Sequence, residues 1–145
     1  MADPTPGTDR SAGPRDSAEL LHIIGRQEWA SALELGRPYD APGQAEVGFM
    51  HLSTPDVVLI PANSFYAGRD DLVLLVIDER RLSAEVRWEE GVPPVGELRF
   101  PHLYGPLDLG AVVRVVDFPC GTDGSFELPA DLLVDRGLGP GEIVR

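Results

Sequence analysis

The sequence predicts an α+β domain: a small mixed, mostly antiparallel sheet with two main helices. Three observations carry this reading. Short apolar runs bounded by turn residues outnumber helical stretches, the two convincing helices lie early, and the second half has short strand-to-strand connections. Short connections favour antiparallel pairing over a doubly wound sheet. At 145 residues, with 43% apolar and 25% charged residues, the chain is long enough for one packed core and too short for two ordinary domains.

Residues 1–18 are rich in Pro, Gly, Ser, Thr and Asp, and read as a disordered leader to a single domain spanning 19–129. The run LLHII at 20–24, bounded by Gly25, has the pattern of a buried strand. Residues 26–35 follow with Trp29, Ala32, Leu33 and Leu35 at helical spacing, and Gly36 supplies a C-cap. Residues 47–52 read as a second strand, with Phe49, His51 and Ser53 on one face and Met50 and Leu52 on the other. Gly48 there would let a partner approach the backbone. Thr54-Pro55-Asp56 has the composition of a helix start, and Pro61 would kink or shorten that helix.

LVLLVI at 72–77 is the most apolar segment and the candidate central strand, with DERRL as a turn or short helix after it. Residues 85–88, 98–104 (interrupted by Pro101) and 111–118 complete the predicted sheet, and 130–145 form a Gly/Pro-rich tail.

Composition excludes several functions. All twelve basic residues are Arg, which removes Schiff-base chemistry, pyridoxal phosphate anchoring and the phosphate-loop Lys. A net charge of −12 argues against a broad nucleic-acid surface or an anionic membrane. No apolar run approaches the ~20 residues needed to span a bilayer. The N-terminal stretch lacks a secretory pattern, so the expected location is cytoplasmic. The single Cys120 offers neither a disulfide nor a thiolate cluster, and reads as a buried or incidental small residue. No Gly-x-Ser-x-Gly elbow is present, and the Gly137, Gly139, Gly141 series lies in the tail and not behind a strand.

The chain places its only three histidines, His22, His51 and His102, in apolar strand-like segments: LLHII, FMHLS and FPHLYG. An imidazole in such surroundings needs a hydrogen-bond partner or a ligand, so the three are read as one shared cleft. His51 lies near Ser53 and Thr54, where a helix N-terminus would offer N–H groups to an anion. His102 is followed closely by Tyr104 in a Pro/Gly-stiffened stretch. Glu89 or Glu90 is the nearest acid to orient it or to act as a base. His51, His102 and Glu89 are the catalytic candidates; His22, Ser53, Thr54, Tyr104 and Arg99 are the ligand-binding ones, and Arg69 or Arg99 is available to pair with a phosphate. No two histidines have the His-x-His or His-x-x-x-His spacing that often builds a zinc site, so no metal is assigned.

In this order LLHII, Trp29, GFMHLST, DLVLLVID, VRWE and FPHLYGPL closely resemble domain-of-unknown-function family 952, small bacterial proteins sometimes loosely labelled glutathione S-transferase-like. The resemblance runs from about residue 20 to residue 126, with GFMHLS and FPHLYGPL its specific motifs. Val57 stands where the family usually has Gln. The family in turn looks like a minimal relative of the ADP-ribosyltransferase fold, nearest to the RNA 2′-phosphotransferases. That resemblance implies that His22 contacts the nicotinamide ribose of NAD and that His51 and Ser53 line the pocket. It puts His102 or Glu89 at the third catalytic position. Ile23-Ile24 replaces the Gly-Thr of those enzymes, and the acidic chain suits RNA poorly. The implied function is therefore an enzyme acting on NAD or another nucleotide-like or phosphorylated small molecule. The alternatives are a non-catalytic module for a small ligand or peptide and, third, a His-ligated metal enzyme.

Overall fold

A computed structural model describes residues 19–130 and Leu132. The predicted leader and nearly all of the predicted tail lie outside these residues. Strand β1 (Glu19–Gly25) leads directly into helix α1 (Arg26–Leu35), followed by the short α2 (Gln44–Val47) and β2 (Met50–His51). Helix α3 (Leu59–Phe65) precedes β3 (Leu72–Asp78), and β4 (Glu85–Glu90), β5 (Arg99–Tyr104) and β6 (Val112–Asp117) complete the domain. No helix among the described residues is long and apolar enough to cross a membrane.

The strands form two three-stranded sheets, β1-β3-β6 and β2-β5-β4, and every pairing in them is antiparallel. The sheets meet at one bridge. Leu21 N–H donates to the Ser53 carbonyl at 2.7 Å, and Ser53 N–H returns a bond to Leu21 at 2.8 Å. The single mixed sheet expected from sequence is thus two antiparallel sheets joined at this point.

Continuous apolarity makes β3 the centre of its sheet, because both of its faces are covered. Val73, Leu75 and Ile77 pack with Leu20, Ile24, Trp29, Met50, Leu52 and Leu103 on one face. Leu72, Leu74 and Val76 pack on the other with Leu21, Val58, Ala62, Phe118, Phe126 and Leu132.

Several local expectations are corrected. Residues 47–52 do not form one strand. Gln44–Val47 make a helical turn that Gly48 ends at φ 93°, a left-handed conformation open to glycine. A Cβ at Gly48 would meet nothing within 4 Å, so its role is this cap and not close approach. Thr54 does not cap a helix with its side chain. Its carbonyl accepts from both Val57 and Val58 N–H in a turn, and α3 begins later, at Leu59. Pro61 lies in the first turn of α3, where its missing N–H costs nothing, so it neither kinks nor truncates the helix.

Pro101 leaves β5 unbroken as well: its carbonyl accepts from Leu52 N–H at 3.0 Å, just past the end of β2. In α1, Trp29 and Ala32 are buried, whereas Leu33 and Leu35 in the last turn are exposed. Gly36 caps the helix as expected, at φ 67°. Cys120 is a free, half-buried thiol.

Leu75 is fully buried at the middle of β3, opposite His22 on β1 and Val115 on β6. Leu75→Ala should cost about 2–5 kcal/mol, the range for a large-to-small change in a core that relaxes only in part. Chemical denaturation would check it; a loss below ~1 kcal/mol would contradict the central placement of β3.

Candidate functional site

Beyond the Leu21–Ser53 bridge, β1 and β2 no longer pair, and a cleft of about 580 Å³ opens between the sheets. Its lining includes 21–25 from β1, 49–53 around β2, and parts of α3 and the 39–44 loop. His22, His51, His102 and Ser53 all border it.

The three histidines reach the cleft by different routes. Cross-strand register sets His51 of β2 directly opposite His102 of β5, so both rings leave the same face of the second sheet. Their centroids are 5.7 Å apart, nearly perpendicular. The neighbours Met50, Leu52 and Leu103 point the other way, into the core. His22 alternates with Leu21 and sits on the core side of β1 with Leu20 and Ile24. Only at the seam between the sheets can it share a cavity with the other two.

His102 is held most firmly. It is 1% exposed, Phe49 stacks on it at 3.9 Å and 13°, and its Nδ1 lies 2.9 Å from Glu89 Oε1. The same oxygen accepts from the Tyr104 hydroxyl at 2.7 Å, and the Arg87 guanidinium lies 4.2 Å from the Tyr104 ring. The Tyr104 and His102 hydrogen bonds hold the Glu89 carboxyl below the ordinary carboxylate range. The bond to Glu89 pushes the Tyr104 hydroxyl up. A carboxylate only accepts, so Nδ1 of His102 carries a hydrogen, and Nε2 is the nitrogen left to exchange a proton with a ligand.

His22 is fixed in the same way. Its Nδ1 lies 2.9 Å from the His51 carbonyl, which can only accept, so Nδ1–H donates. Burial depresses the His22 imidazole below its usual 6.5, more than the carbonyl bond and Glu28 raise it. His51 is exposed to the cleft and is also depressed, first by partial burial and then by His102. Both rings are therefore neutral at pH 7.

Other sequence candidates fall elsewhere. Glu89 and Tyr104 stand behind His102 and are not among the lining residues. Thr54 lies outside the lining, and the Val57 and Val58 N–H groups near it are taken by its own carbonyl, so no free helix N-terminus faces His51. Arg99 is exposed at the start of β5, donating to the Trp88 carbonyl at 3.5 Å, away from the cleft. Arg69 does border the cleft, but Asp71 holds it through two bonds of 2.9 and 2.8 Å. Among the described residues no group of three or more His, Cys, Asp or Glu converges as metal ligands.

Sequence reasoning did not single out Glu28, Tyr39, Gln44 or Tyr66, all of which line the cleft. Tyr39 donates to Glu28 Oε2 at 2.5 Å, and burial followed by this bond pushes its hydroxyl well above 10.0. Gln44 is buried, accepting from Ala41 N–H and donating to the Gly105 carbonyl, which ties the loop to the sheet end. The available signal was the placement of Glu28 beside the inward-facing Trp29.

Fold and site together define a small antiparallel α+β domain with a histidine-lined cleft between two sheets. The chain belongs to the family described as protein of unknown function DUF952, whose model matches residues 23–115. It is similar to the protein CC0527 of Caulobacter crescentus. The crystal structure of CC0527 is 34% identical with a TM-score of 0.67, and the match covers 79% of this chain and 97% of that one. The solution NMR structure of CC0527 is 32% identical with a TM-score of 0.67, covering 81% and 98%. No functionally curated protein matches the chain.

The depressed His22 sets a pH dependence. A folded-state value below the unfolded 6.5 means that unfolding takes up a proton as the pH drops below 6.5. Its contribution is complete above 6.5 and is lost as pH falls through the folded value; Glu89 adds a loss of the same sign only below its ordinary 4.5. Melting temperature should therefore hold steady above neutrality and decline from about pH 6.5 downward. In His22→Asn, which keeps a donor but cannot titrate, the decline between pH 6.5 and 4.5 should be shallower. Superimposable profiles for the two proteins would contradict a buried neutral His22.

Proposed function

We propose that the chain is an acid–base enzyme acting on a small molecule bound in the cleft, with His102 as the proton-transferring group. One observation carries this reading: a buried histidine bordering the cleft has its tautomer fixed by a carboxylate, leaving Nε2 as a base. The pairing needs two polar groups on neighbouring strands plus the Tyr104 hydroxyl, more than satisfying one core imidazole would take. In this reading Glu89 orients His102 and stabilises the imidazolium that forms when Nε2 takes a proton. His51, neutral and open to the cleft, binds the substrate or relays the proton.

NAD and nucleotide-like molecules are the first substrates to test. The resemblance to ADP-ribosyltransferases assigns ligand contacts to His22, His51 and Ser53, and these three border the cleft. Recognition through a phosphate group has weaker support than recognition through a ring, since among the described residues Arg69 is the one arginine in the lining and Asp71 already clamps it. A planar ring, such as a nucleobase or nicotinamide, fits the aromatic lining of Phe49, Tyr39 and Tyr66 better.

The test is incubation with NAD and a panel of nucleosides and small metabolites, followed by proton NMR for product. Turnover should drop about 10²-fold or more in His102→Gln, as expected for removal of a general acid–base group. Glu89→Gln should lose less and shift the pH–rate profile. Saturable binding without product over long incubation would reject the enzyme and make the domain a non-catalytic binding module.

A further inference from the structure

A second polar group faces the same cleft from the α1 side. Glu28 is in the first turn of α1, and its Oε2 accepts from the Tyr39 hydroxyl at 2.5 Å, which leaves Oε1 for a ligand. Tyr66 lies close enough to feel the Glu28 charge, and its ring and that of Tyr39 both border the cleft. Tyr39 also tilts against His22 at 6.4 Å, which makes this group continuous with the histidines.

The local charge count decides what this group can recognise. Among the described residues two arginines lie on this side: Arg69, its guanidinium 5.9 Å from the Tyr66 ring and engaged on two nitrogens by Asp71, and Arg26, which pairs with Asp117 at 2.8 Å. Arg69 and Asp71 cancel, as do Arg26 and Asp117, and Glu28 remains as a negative charge in a cleft that the Tyr39 and Tyr66 rings also border. His22 and His51, depressed by burial, add no positive charge at pH 7. A carboxylate that shares a cleft with aromatic rings attracts an organic cation, through its charge and through the negative ring faces. The mouth of the cleft is apolar, with Val47, Phe65 and Val92 exposed at 46%, 62% and 57% along its lining.

We infer that the Glu28–Tyr39–Tyr66 side of the cleft is its specificity site, and that it takes a planar ligand carrying a cationic group. Glu28 pairs with the cation, the two tyrosines flank it, and the apolar part of the ligand extends toward the mouth. This deepens the function proposed above by naming the substrate class. It leaves the acid–base role of His102 as a separate claim.

The experiment is an NMR titration of the whole chain with three probes of one shape: benzamidine, benzamide and benzoate. Benzamidine should bind most tightly, benzamide more weakly and benzoate not detectably, with shifts at Glu28, Tyr39 and Tyr66. Glu28→Gln should weaken benzamidine about tenfold or more and leave benzamide nearly unchanged. Arg69→Gln removes the neutralising guanidinium and should tighten benzamidine, so the inference stays testable if Glu28→Gln fails to fold. Benzoate binding as well as benzamidine would overturn it. So would benzamidine affinity indifferent to both substitutions, or no benzamidine binding at all. His102→Gln should keep benzamidine affinity whatever its effect on turnover, which separates failure of this inference from failure of the catalytic reading.

Discussion

The two reciprocal hydrogen bonds between Leu21 and Ser53 hold the sheets together, and the cleft exists because the pairing stops there. On one side of the seam β1 runs on to Gly25 paired only with β3; on the other, β2 is two residues long and turns to β5. Backbone groups freed at such a seam must find other partners. One is found at once, since the His51 carbonyl accepts from the His22 ring. The first histidine of the site is thus also a structural pin across the gap, and its chemistry cannot be altered without loosening the seam.

Much of this fold was legible in the sequence, because it follows from local pattern. A short unbroken apolar run rich in β-branched residues reads as a strand covered on both faces, and 72–77 is one. Gly36 after a helical stretch marked the end of α1 correctly. What failed were short elements whose identity is settled by neighbours. Gln44–Val47 lacks the length for a periodic signal, and the glycines on either side, Gly43 and Gly48, carried the information. Thr54-Pro55-Asp56 has helix-start composition, yet the Thr54 carbonyl draws in both following N–H groups and delays the helix.

The site divides in the same way. His51 and His102 share a cleft through strand register, which the alternation of apolar residues already implied. Choosing Glu89 over Glu90 depended on which face of β4 turned toward β5's His102, a one-residue difference that register settles. Beyond the position of Glu28 beside Trp29, nothing in the sequence joined Glu28 to Tyr39, because they meet only when the loop after α1 folds back to pair Tyr39 with Leu107. Contacts that depend on loop closure leave no periodicity to read.

The hydrogen-bond roles in the cleft point in one direction. His22 and His102 have each committed Nδ1–H to an acceptor of the protein, so toward a ligand they offer lone pairs at Nε2. Glu28 offers carboxylate oxygen, while the Tyr39 hydroxyl hydrogen is spent on Glu28 and Arg69 is spent on Asp71. The cleft is thereby weighted toward acceptors, with donors left at the one N–H of neutral His51 and the hydroxyls of Ser53 and Tyr66. A carboxylate or phosphate entering it would give up its water for few new hydrogen bonds, at the usual cost of an unsatisfied buried charge. A ligand bearing N–H groups also gives up water, but finds acceptors at Glu28 and at the histidines to offset it. The acceptor bias that makes His102 a base and the negative charge beside Tyr39 thus select the same kind of molecule: one that arrives with protons to give.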